Sequence, residues 1–296
     1  MTSLDRLSTE LPNPRTGDLD RLSTLGVLER LNDEDQLVAL AVRAALPALA
    51  QAVDLALERW QRGGRIALFG AGTSGRLAAL DAAELGPTFG VSPERYFARL
   101  AGGDRAFQHA VEGAEDDVAD GARATDELSV DDVAFGIAAS GRTPWVLAAL
   151  GHARACGAAT IGLACVACPE LAPLCDVPIV VDTGPEAILG STRLKAGTAQ
   201  KLVLNAFSST LMVRLGKVYG NLMVDVQISN AKLRDRARRL VELASGAESE
   251  HVEQTLAAAN GDVKTAIVML RLRLDAGTAR GRLASAQGRL REALSG

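Results

Sequence analysis

Short apolar segments alternate with helical segments through the middle of the chain. Five of the apolar runs have the length of buried strands, and a helical stretch follows each of the first three. Strands that alternate with helices are typical of a parallel sheet with helices on both faces. The predicted strands are Arg65–Phe69, Tyr96–Leu100, Asp132–Ala138, Ala158–Leu163 and Val177–Val181. The predicted helices are Leu77–Leu85, Asp104–Asp126 with an interruption near Gly113, and Pro144–Ala155.

The flanks of this alternating region are helical. Leu19–Arg62 contains an Ala-rich apolar run, and Asn32-Asp-Glu-Asp35 has the residue types of a helix N-cap. Ser191–Leu215 is a long helical segment, and only helices follow Ser229. The last stretch, Glu248–Leu294, resembles a ubiquitin-associated type of three-helix bundle. We therefore predict an N-terminal helical segment at 1–62 that packs on the core, an α/β domain at 63–228 and a C-terminal helical region at 229–296.

Composition and charge narrow the class of partner. The 296 residues are 48% hydrophobic and 23% charged, and the net charge of -4 argues against broad affinity for nucleic acid or an anionic membrane. No apolar run approaches the length of a transmembrane helix. Met1–Arg15 lacks the apolar core of a secretory signal. We expect a cytoplasmic location.

The cysteines raise the question of a metal or redox site. Cys165 and Cys168 have C-x-x-C spacing, but zinc would need a second pair of ligands and His152 is the only histidine nearby. The alternative, which we favour, is that the four cysteines are small apolar residues of a reduced compartment. We predict no metal and no cofactor.

A loop rich in glycine and hydroxyls follows the first predicted strand. Gly70-Ala-Gly-Thr-Ser-Gly-Arg76 satisfies the G-x-G-x-x-G spacing of dinucleotide-binding loops. That fingerprint also expects an acid about 20 residues further on, where this chain has Arg99-Leu-Ala-Gly102. Thr73 and Ser74 instead lie at a predicted helix start, where hydroxyls and free backbone N–H groups can bind a phosphate monoester.

Two further hydroxyl clusters open helices. Ser140-Gly-Arg-Thr143 ends the third predicted strand and repeats the Ser-Gly-Arg of the first loop. Loops at the carboxyl ends of parallel strands converge on one crevice, and Gly190-Ser-Thr-Arg-Leu-Lys195 could face the same anion. The alternatives are that these loops are ordinary N-caps and that Arg193 and Lys195 are solvated. The predicted anion-binding residues are Gly72, Thr73, Ser74, Ser140, Gly141, Arg142, Thr143, Ser191, Thr192 and Lys195.

The three loops resemble the sugar isomerase (SIS) domain, an α/β fold that binds phosphosugars. Longer motifs lie between residues 9 and 240, and they are Asn13-Pro-Arg-Thr-Gly-Asp-Leu-Asp20, Gly70-Ala-Gly-Thr-Ser-Gly-Arg76, Asp81-Ala-Ala-Glu84, Pro87-Thr-Phe-Gly90, Val111-Glu-Gly-Ala-Glu-Asp-Asp117, Ala139-Ser-Gly-Arg-Thr-Pro144, Gly190-Ser-Thr-Arg-Leu-Lys-Ala-Gly-Thr198 and Lys217-Val-Tyr-Gly-Asn-Leu-Met-Val-Asp225. The resemblance implies a SIS-type parallel sheet flanked by helices, with N-terminal helices and a small C-terminal helical bundle. Together, these longer motifs resemble one family with this domain, the N-acetylmuramic acid 6-phosphate etherases.

The chain departs from the family pattern at three places. Leu11-Pro12 stands where the family usually has Gln-Arg, and Leu85-Gly86 replaces a Cys/Ile-Pro type of pair. Trp145 stands where an aromatic, commonly Tyr, is expected. None of these changes removes a residue that matches a catalytic group, and the first leaves the N-terminal contact open.

The reaction that the resemblance implies releases D-lactate from the C3 ether of the sugar. Ring opening gives a C1 aldehyde that acidifies the C2 proton, a base removes that proton, and an acid protonates the ether oxygen. Water then adds at C3, which gives N-acetylglucosamine 6-phosphate. None of the three histidines lies in a phosphate loop, so carboxylates are the better acid–base candidates, with pKa values raised by burial in an apolar pocket.

Glu84 and Glu115 match the family's catalytic glutamates. Glu84 follows two alanines in an apolar stretch, where a solvated charge is not expected. Glu115 begins an acidic run that by itself would be interpreted as a helix N-terminus, and only the resemblance favours catalysis. We assign proton transfer at C2 to Glu84, and the lactate oxygen and returning water to Glu115. Whether a single carboxylate serves both steps stays open. We interpret the nearby Glu112 as structural.

The resemblance also implies a phosphosugar substrate and a homodimer with a shared active site, without nucleic acid or membrane. One alternative is a non-catalytic phosphosugar-sensing SIS module, which would add a basic helix-turn-helix or a second SIS domain. Another is an aldose–ketose isomerase, which would expel no lactate. An NAD-dependent oxidoreductase would need the missing ribose-binding acid.

Overall fold

The computed structural model describes residues 7–228 and 230–295. The first six residues of the N-terminal stretch Met1–Arg15 and the predicted boundary at Ser229 lie outside the described residues. The interpretation of that stretch as lacking a secretory signal therefore stays a prediction.

Five strands form one parallel sheet: β1 (Ile66–Gly70), β2 (Tyr96–Leu100), β3 (Val133–Ile137), β4 (Ala159–Ala164) and β5 (Val177–Val180). Their order is β2-β1-β3-β4-β5. The three central strands are buried along their whole length, which explains their continuous apolar sequence. The predicted parallel sheet flanked by helices is confirmed.

Helices follow the strands and fill both ends of the chain. They are α1 (Thr24–Gln61), α2 (Gly72–Phe89), α3 (Arg105–Gln108), α4 (Val118–Arg123), α5 (Pro144–Ala155), α6 (Lys195–Arg214), α7 (Ala231–Ser245), α8 (Ser249–Ala258), α9 (Val263–Leu272), α10 (Ala276–Ser285) and α11 (Leu290–Ser295). Short 3-10 turns lie at Ser8–Glu10, Leu19–Arg21, Ala114–Asp116 and Ala172–Leu174. The segment 104–126, predicted as helical with an interruption near Gly113, forms three short pieces. Gly113, at φ +72°, lies just before the middle piece.

Helix α1 differs from its prediction at its start. Ser23 is the N-cap, and its side chain accepts a hydrogen bond from Gly26 N at 3.2 Å. The cap predicted at 32–35 is wrong, because those residues lie inside the helix and Glu34 is buried. Sequence pattern alone missed this because the acidic cluster precedes the most apolar part of the helix.

By length and composition alone, α1 could also cross a membrane. The expectation that no apolar run approaches the length of a transmembrane helix is therefore wrong. Core helices of globular domains meet the same test. Here α1 packs against β4 and β5 and buries Val38, Val42 and Leu49. One face of α1 therefore packs on the sheet, and 33% of its most apolar stretch is buried.

Two compact units make up the chain. The first comprises Met1–Ala83 and Pro93–Ser208, and the second comprises Glu84–Ser92 and Ser209–Gly296. The first unit contains the sheet together with α1, so the predicted three-part division of the chain stays a prediction.

The second unit is largely helical. In it α9 packs against α7, α8, α10 and α11, around buried Val241, Val252 and Ile267. A two-stranded hairpin precedes these helices, formed by β6 (Val218–Tyr219) and β7 (Leu222–Met223).

Candidate active site

The first glycine loop turns tightly between β1 and α2. A Cβ on Gly75 would lie 2.0 Å from Leu100 Cδ1 and 2.5 Å from the Gly70 carbonyl oxygen. Only glycine therefore lets α2 begin directly at the end of β1, close to β2. Ser74 is buried in the first turn of α2, and its Oγ donates to Gln200 Oε1 at 3.0 Å.

The second loop depends on Gly141. Its φ is +66°, and a Cβ there would lie 2.3 Å from Pro169 Cβ. Thr143 is the N-cap of α5 with Pro144 at the first helical position, yet the Thr143 side chain makes no capping hydrogen bond. The interpretation of this hydroxyl as an ordinary N-cap therefore loses its main support. The N-terminus of α5 favours anions.

A cleft of about 630 Å³ lies at this second loop. The 3-10 turn at Ala114–Asp116 contributes Glu115 to its lining, together with the hydroxyl-bearing residues of the loop. The structure thus brings one predicted catalytic glutamate together with three predicted anion-binding residues. The polar and charged lining residues are Glu115, Asp116, Ser140, Arg142, Thr143 and Glu170.

The third cluster is arranged differently from the prediction. The carboxylate of Glu186 accepts the backbone N–H groups of Lys195 at 2.8 Å and Ala196 at 2.9 Å, so a protein carboxylate already occupies the N-terminus of α6. Ser191 and Thr192 precede it and are partly buried. An anion bound at this helix end would have to displace or adjoin Glu186.

Lys195 lies in a buried ion pair. Its Nζ donates to Glu34 Oε2 at 2.8 Å, and both side chains are 1% exposed. The alternative of a solvated Lys195 is wrong, whereas Arg193 is exposed. Arg15 also donates to Glu34, at 2.8 Å from Nη2. This ion pair directs the Lys195 ammonium to α1, and a substrate contact by Lys195 stays a prediction.

The pKa values of Glu34 and Glu186 are shifted in opposite directions. Hydrogen bonds from Arg15, and also from Lys195 and Asn13, outweigh desolvation and lower the pKa of Glu34 to about 2. Burial raises the pKa of Glu186, against the backbone N–H groups that stabilise its charge. The sequence analysis did not predict that Glu34 and Glu186 are buried, since acidic residues in a helix or a loop are usually solvated.

A further buried acid lies one turn before Glu84. Asp81 accepts from Tyr96 Oη at 2.7 Å and from Ser208 Oγ at 2.9 Å, and burial raises its pKa. It ties α2 to β2 and α6.

The two predicted catalytic glutamates are both exposed in the single chain. Glu84 lies within α2, which continues to Phe89. Glu115 lies in the 3-10 turn at the cleft. The expectation that an apolar pocket buries these carboxylates is therefore wrong for one chain alone. The apolar residues around Glu84 in sequence did not predict burial because they lie on other sides of the helix.

Relatives with closely similar sequences decide the family. The chain is 54% identical over 255 residues to an N-acetylmuramic acid 6-phosphate etherase of Deinococcus radiodurans, which covers 86% of this chain and 84% of the relative. It is 52% identical over 296 residues to the protein of that name from Mycolicibacterium smegmatis, which covers 98% of each chain. The chain belongs to the N-acetylmuramic acid 6-phosphate etherase family.

The fold comparison agrees with the etherase family at a coarser level. The family model of the glucokinase regulatory protein N-terminal SIS domain matches residues 48–154. A solved phosphoheptose isomerase from Francisella tularensis matches with a TM-score of 0.52 at 20% identity, which covers 65% of this chain and all of that structure. The SIS-type fold predicted for this member of the etherase family is confirmed.

The four cysteines of this etherase-family chain are free, two of them buried and two exposed. Cys165 is buried, and its Sγ contacts the Ala196 carbonyl oxygen at 3.6 Å, whereas Cys168 is exposed. Burial raises the pKa of the Cys165 thiol well above its ordinary value, and that of Cys175 to about 12. Buried thiols with raised pKa values are unreactive. Among residues 7–228 and 230–295 no group of three or more His, Cys, Asp or Glu side chains is placed to hold a metal.

Proposed function

We propose that this chain cleaves the D-lactyl ether of N-acetylmuramic acid 6-phosphate and releases D-lactate and N-acetylglucosamine 6-phosphate. The observation that carries the proposal is the family membership, at about half identity over nearly the whole length of the relatives. The cleft that joins Glu115 to the Ser140–Thr143 loop supports it from the chemistry, because it combines a carboxylate with hydroxyl donors at a helix N-terminus.

The proposed reaction proceeds by elimination and then hydration. In the open-chain sugar the C1 aldehyde acidifies C2, and Glu84 removes the C2 proton. The electron pair forms the C2–C3 double bond as the C3–O bond breaks, and Glu115 protonates the departing lactate oxygen. Glu115 then takes a proton from water that adds at C3, and C2 is reprotonated, so one water is consumed for each ether cleaved.

The phosphate is proposed to bind at the hydroxyl loops. Residues Gly72 to Ser74 and Ser140 to Thr143 offer backbone N–H groups and hydroxyls, which are suited to a phosphate monoester. Ser191 and Thr192 complete the proposed set of phosphate-binding residues. Lys195 is proposed to act indirectly, through its ion pair with Glu34.

We place the site in a homodimer in the cytoplasm, with residues of both copies around the substrate. Both proposed catalytic carboxylates are exposed in the single chain. Proton transfer near neutral pH is helped by burial, which raises a carboxyl pKa. A second copy would supply that burial. The outward side of α1 carries leucines suited to such a contact, with Leu40 66% exposed and Leu25 64% exposed.

The deciding experiment follows D-lactate release and deuterium at C2 when the purified protein acts on N-acetylmuramic acid 6-phosphate in deuterated water. Wild type is expected to release lactate with deuterium at C2. Glu84→Gln is expected to lose both, and Glu115→Gln is expected to lose lactate release. Glu112→Gln, an exposed acid three residues from Glu115, is the matched control and should behave as wild type.

Other outcomes would point to the other functions. Exchange at C2 without lactate would indicate a base that removes the C2 proton without ether cleavage, the first step that an aldose–ketose isomerase also uses. Binding of the phosphosugar with neither exchange nor lactate would indicate a sensing module, and the etherase proposal would fail.

A further inference from the structure

Gln200 is a buried amide beside the first glycine loop, and no predicted role accounts for it. It lies in the second turn of α6 and is 1% exposed. Ser74 Oγ donates to its Oε1 at 3.0 Å. Within the part of the chain that the structure describes, Gln200 Nε2 has no hydrogen-bond partner. Buried amide N–H groups are almost always paired, so this orientation of the amide leaves a buried donor unmet.

The surroundings of Gln200 fix it behind the loop. Gly197, one turn earlier on α6, neighbours the loop: a Cβ there would be in ordinary van der Waals contact with Thr73 Cγ2, at 3.5 Å. Glu186 holds the same end of α6 through the backbone N–H groups of residues 195 and 196. The amide therefore lies at a defined position against the Thr73–Ser74 turn.

The direction of the Ser74 hydrogen bond matters for an anion. A serine hydroxyl has one proton and two acceptor lone pairs. While Ser74 gives that proton to Gln200 Oε1, it has none for a phosphate oxygen. A phosphate monoester carries about -1.5 to -2 charges near neutral pH and mainly accepts hydrogen bonds. A rotation of the Gln200 amide group by half a revolution would exchange the positions of Oε1 and Nε2 within the same volume.

We propose that Gln200 is a positioning residue for the phosphate of the substrate. In the substrate complex its Nε2 donates to Ser74 Oγ, and the Ser74 hydroxyl turns to donate to a phosphate oxygen. The unpartnered N–H thereby gains an acceptor, and the loop gains a correctly directed donor. This inference rests on the proposed function, because it takes the Thr73–Ser74 turn as part of the phosphosugar site.

The test combines Gln200→Met, Gln200→Glu and Ser74→Ala with the double variant of Ser74→Ala and Gln200→Met. The readouts are calorimetric binding of inorganic phosphate and the KM and kcat of D-lactate release. Both Gln200 variants should weaken phosphate binding and raise KM by about 10- to 100-fold, the loss typical of a hydrogen bond to a charged group, with kcat nearly unchanged. Gln254→Met, exposed on α8, is the matched control and should match wild type.

The double variant separates positioning from general structure. Because Gln200 acts through Ser74, it should bind phosphate no more weakly than Ser74→Ala alone. Fully additive losses, or unchanged phosphate binding in either Gln200 variant, would overturn the inference. If Gln200→Met does not fold, the nearly isosteric Gln200→Glu decides the question at a melting temperature close to that of wild type. Wild type that binds phosphate but releases no lactate would count against the proposed function alone.

Discussion

Glu34 and Lys195 form a buried ion pair across 161 residues of sequence, with 2.8 Å between Oε2 and Nζ. Asn13 Nδ2 donates to the same carboxylate at 2.9 Å, as does Arg15 Nη2 at 2.8 Å. One carboxylate thus joins the N-terminal segment, α1 and α6.

Replacement of Lys195 by Met should destabilise the first unit. Removal of one partner of a buried ion pair costs about 3 kcal/mol or more when no other partner remains. Because Arg15 and Asn13 still donate to Glu34, we expect a loss of up to about 3 kcal/mol. Urea unfolding followed by circular dichroism measures this loss. Lys232→Met, at an exposed position on α7, should change stability by less than roughly 0.5 kcal/mol. If Lys195→Met instead kept full stability and raised KM strongly, the ammonium would contact substrate, as the sequence predicted.

Stability should fall in acid through Glu34. Its pKa is lowered from 4.5 to about 2, first by Arg15. A carboxyl with a depressed folded-state pKa contributes stability that is fully present above its unfolded value of 4.5 and is lost as the pH falls toward 2. Asp81 and Glu186 have raised pKa values and act in the opposite direction.

The comparison of wild type with Glu34→Gln isolates this one group. The free energies of unfolding should differ by a pH-dependent part on the order of 3 kcal/mol at neutral pH, and this part should vanish toward pH 2. Urea unfolding at a series of pH values measures it. A difference that stayed constant across the series would show that the Glu34 charge contributes nothing.

Gly141→Ala should disrupt the second loop. The new Cβ would lie 2.3 Å from Pro169 Cβ at a φ of +66°, so the loop must move. We expect a loss of about 2 kcal/mol or more in unfolding free energy, together with weaker phosphosugar binding. Gly151→Ala is the matched control, because this helical glycine has no atom within 4 Å of the new Cβ. There we expect a gain of up to about 1 kcal/mol.

Leu40→Glu should separate the proposed dimer. The side chain is 66% exposed on α1, and a charge there would be buried if α1 meets a second copy. Analytical ultracentrifugation should show wild type as a dimer and the variant as a monomer, with activity lost at the same time. Leu243→Glu, on α7 and 63% exposed, is the matched control. A variant at Leu40 that stays dimeric would place the interface elsewhere.

The sheet could be predicted closely from sequence. Runs such as Val133–Ile137 are buried on both faces, so they contain only apolar residues and glycine, and this pattern is local. The start of α1 could not be predicted, because Glu34 resembles a capping acid until its partners on distant segments are known. The interruption near Gly113 within 104–126 was predicted, but the division of this segment into two short helices and a 3-10 turn was not.

The candidate site was predictable in part. The hydroxyl loops at Ser74 and Ser140 follow from strand–helix junctions, and the structure has both where expected. Gln200, Glu186 and Asp81 were not predicted as part of this region. Their roles depend on contacts over long sequence distances, such as the 126 residues between Ser74 and Gln200, which a single sequence does not reveal.

The sequence by itself determined the parallel α/β architecture, the glycine turns and, through its motifs, the family. These features depend on residues that are neighbours in the sequence, namely the apolar runs of the strands and the residue types of the loops. Tertiary structure alone decided which charges are buried and what they face. In the folded chain Lys195 pairs with Glu34, and Glu186 accepts a backbone N–H group at the N-terminus of α6. Glu84 and Glu115 are exposed in the single chain. The free energy of a charged side chain depends on the solvent it loses and the partners it gains, and only the folded chain sets both.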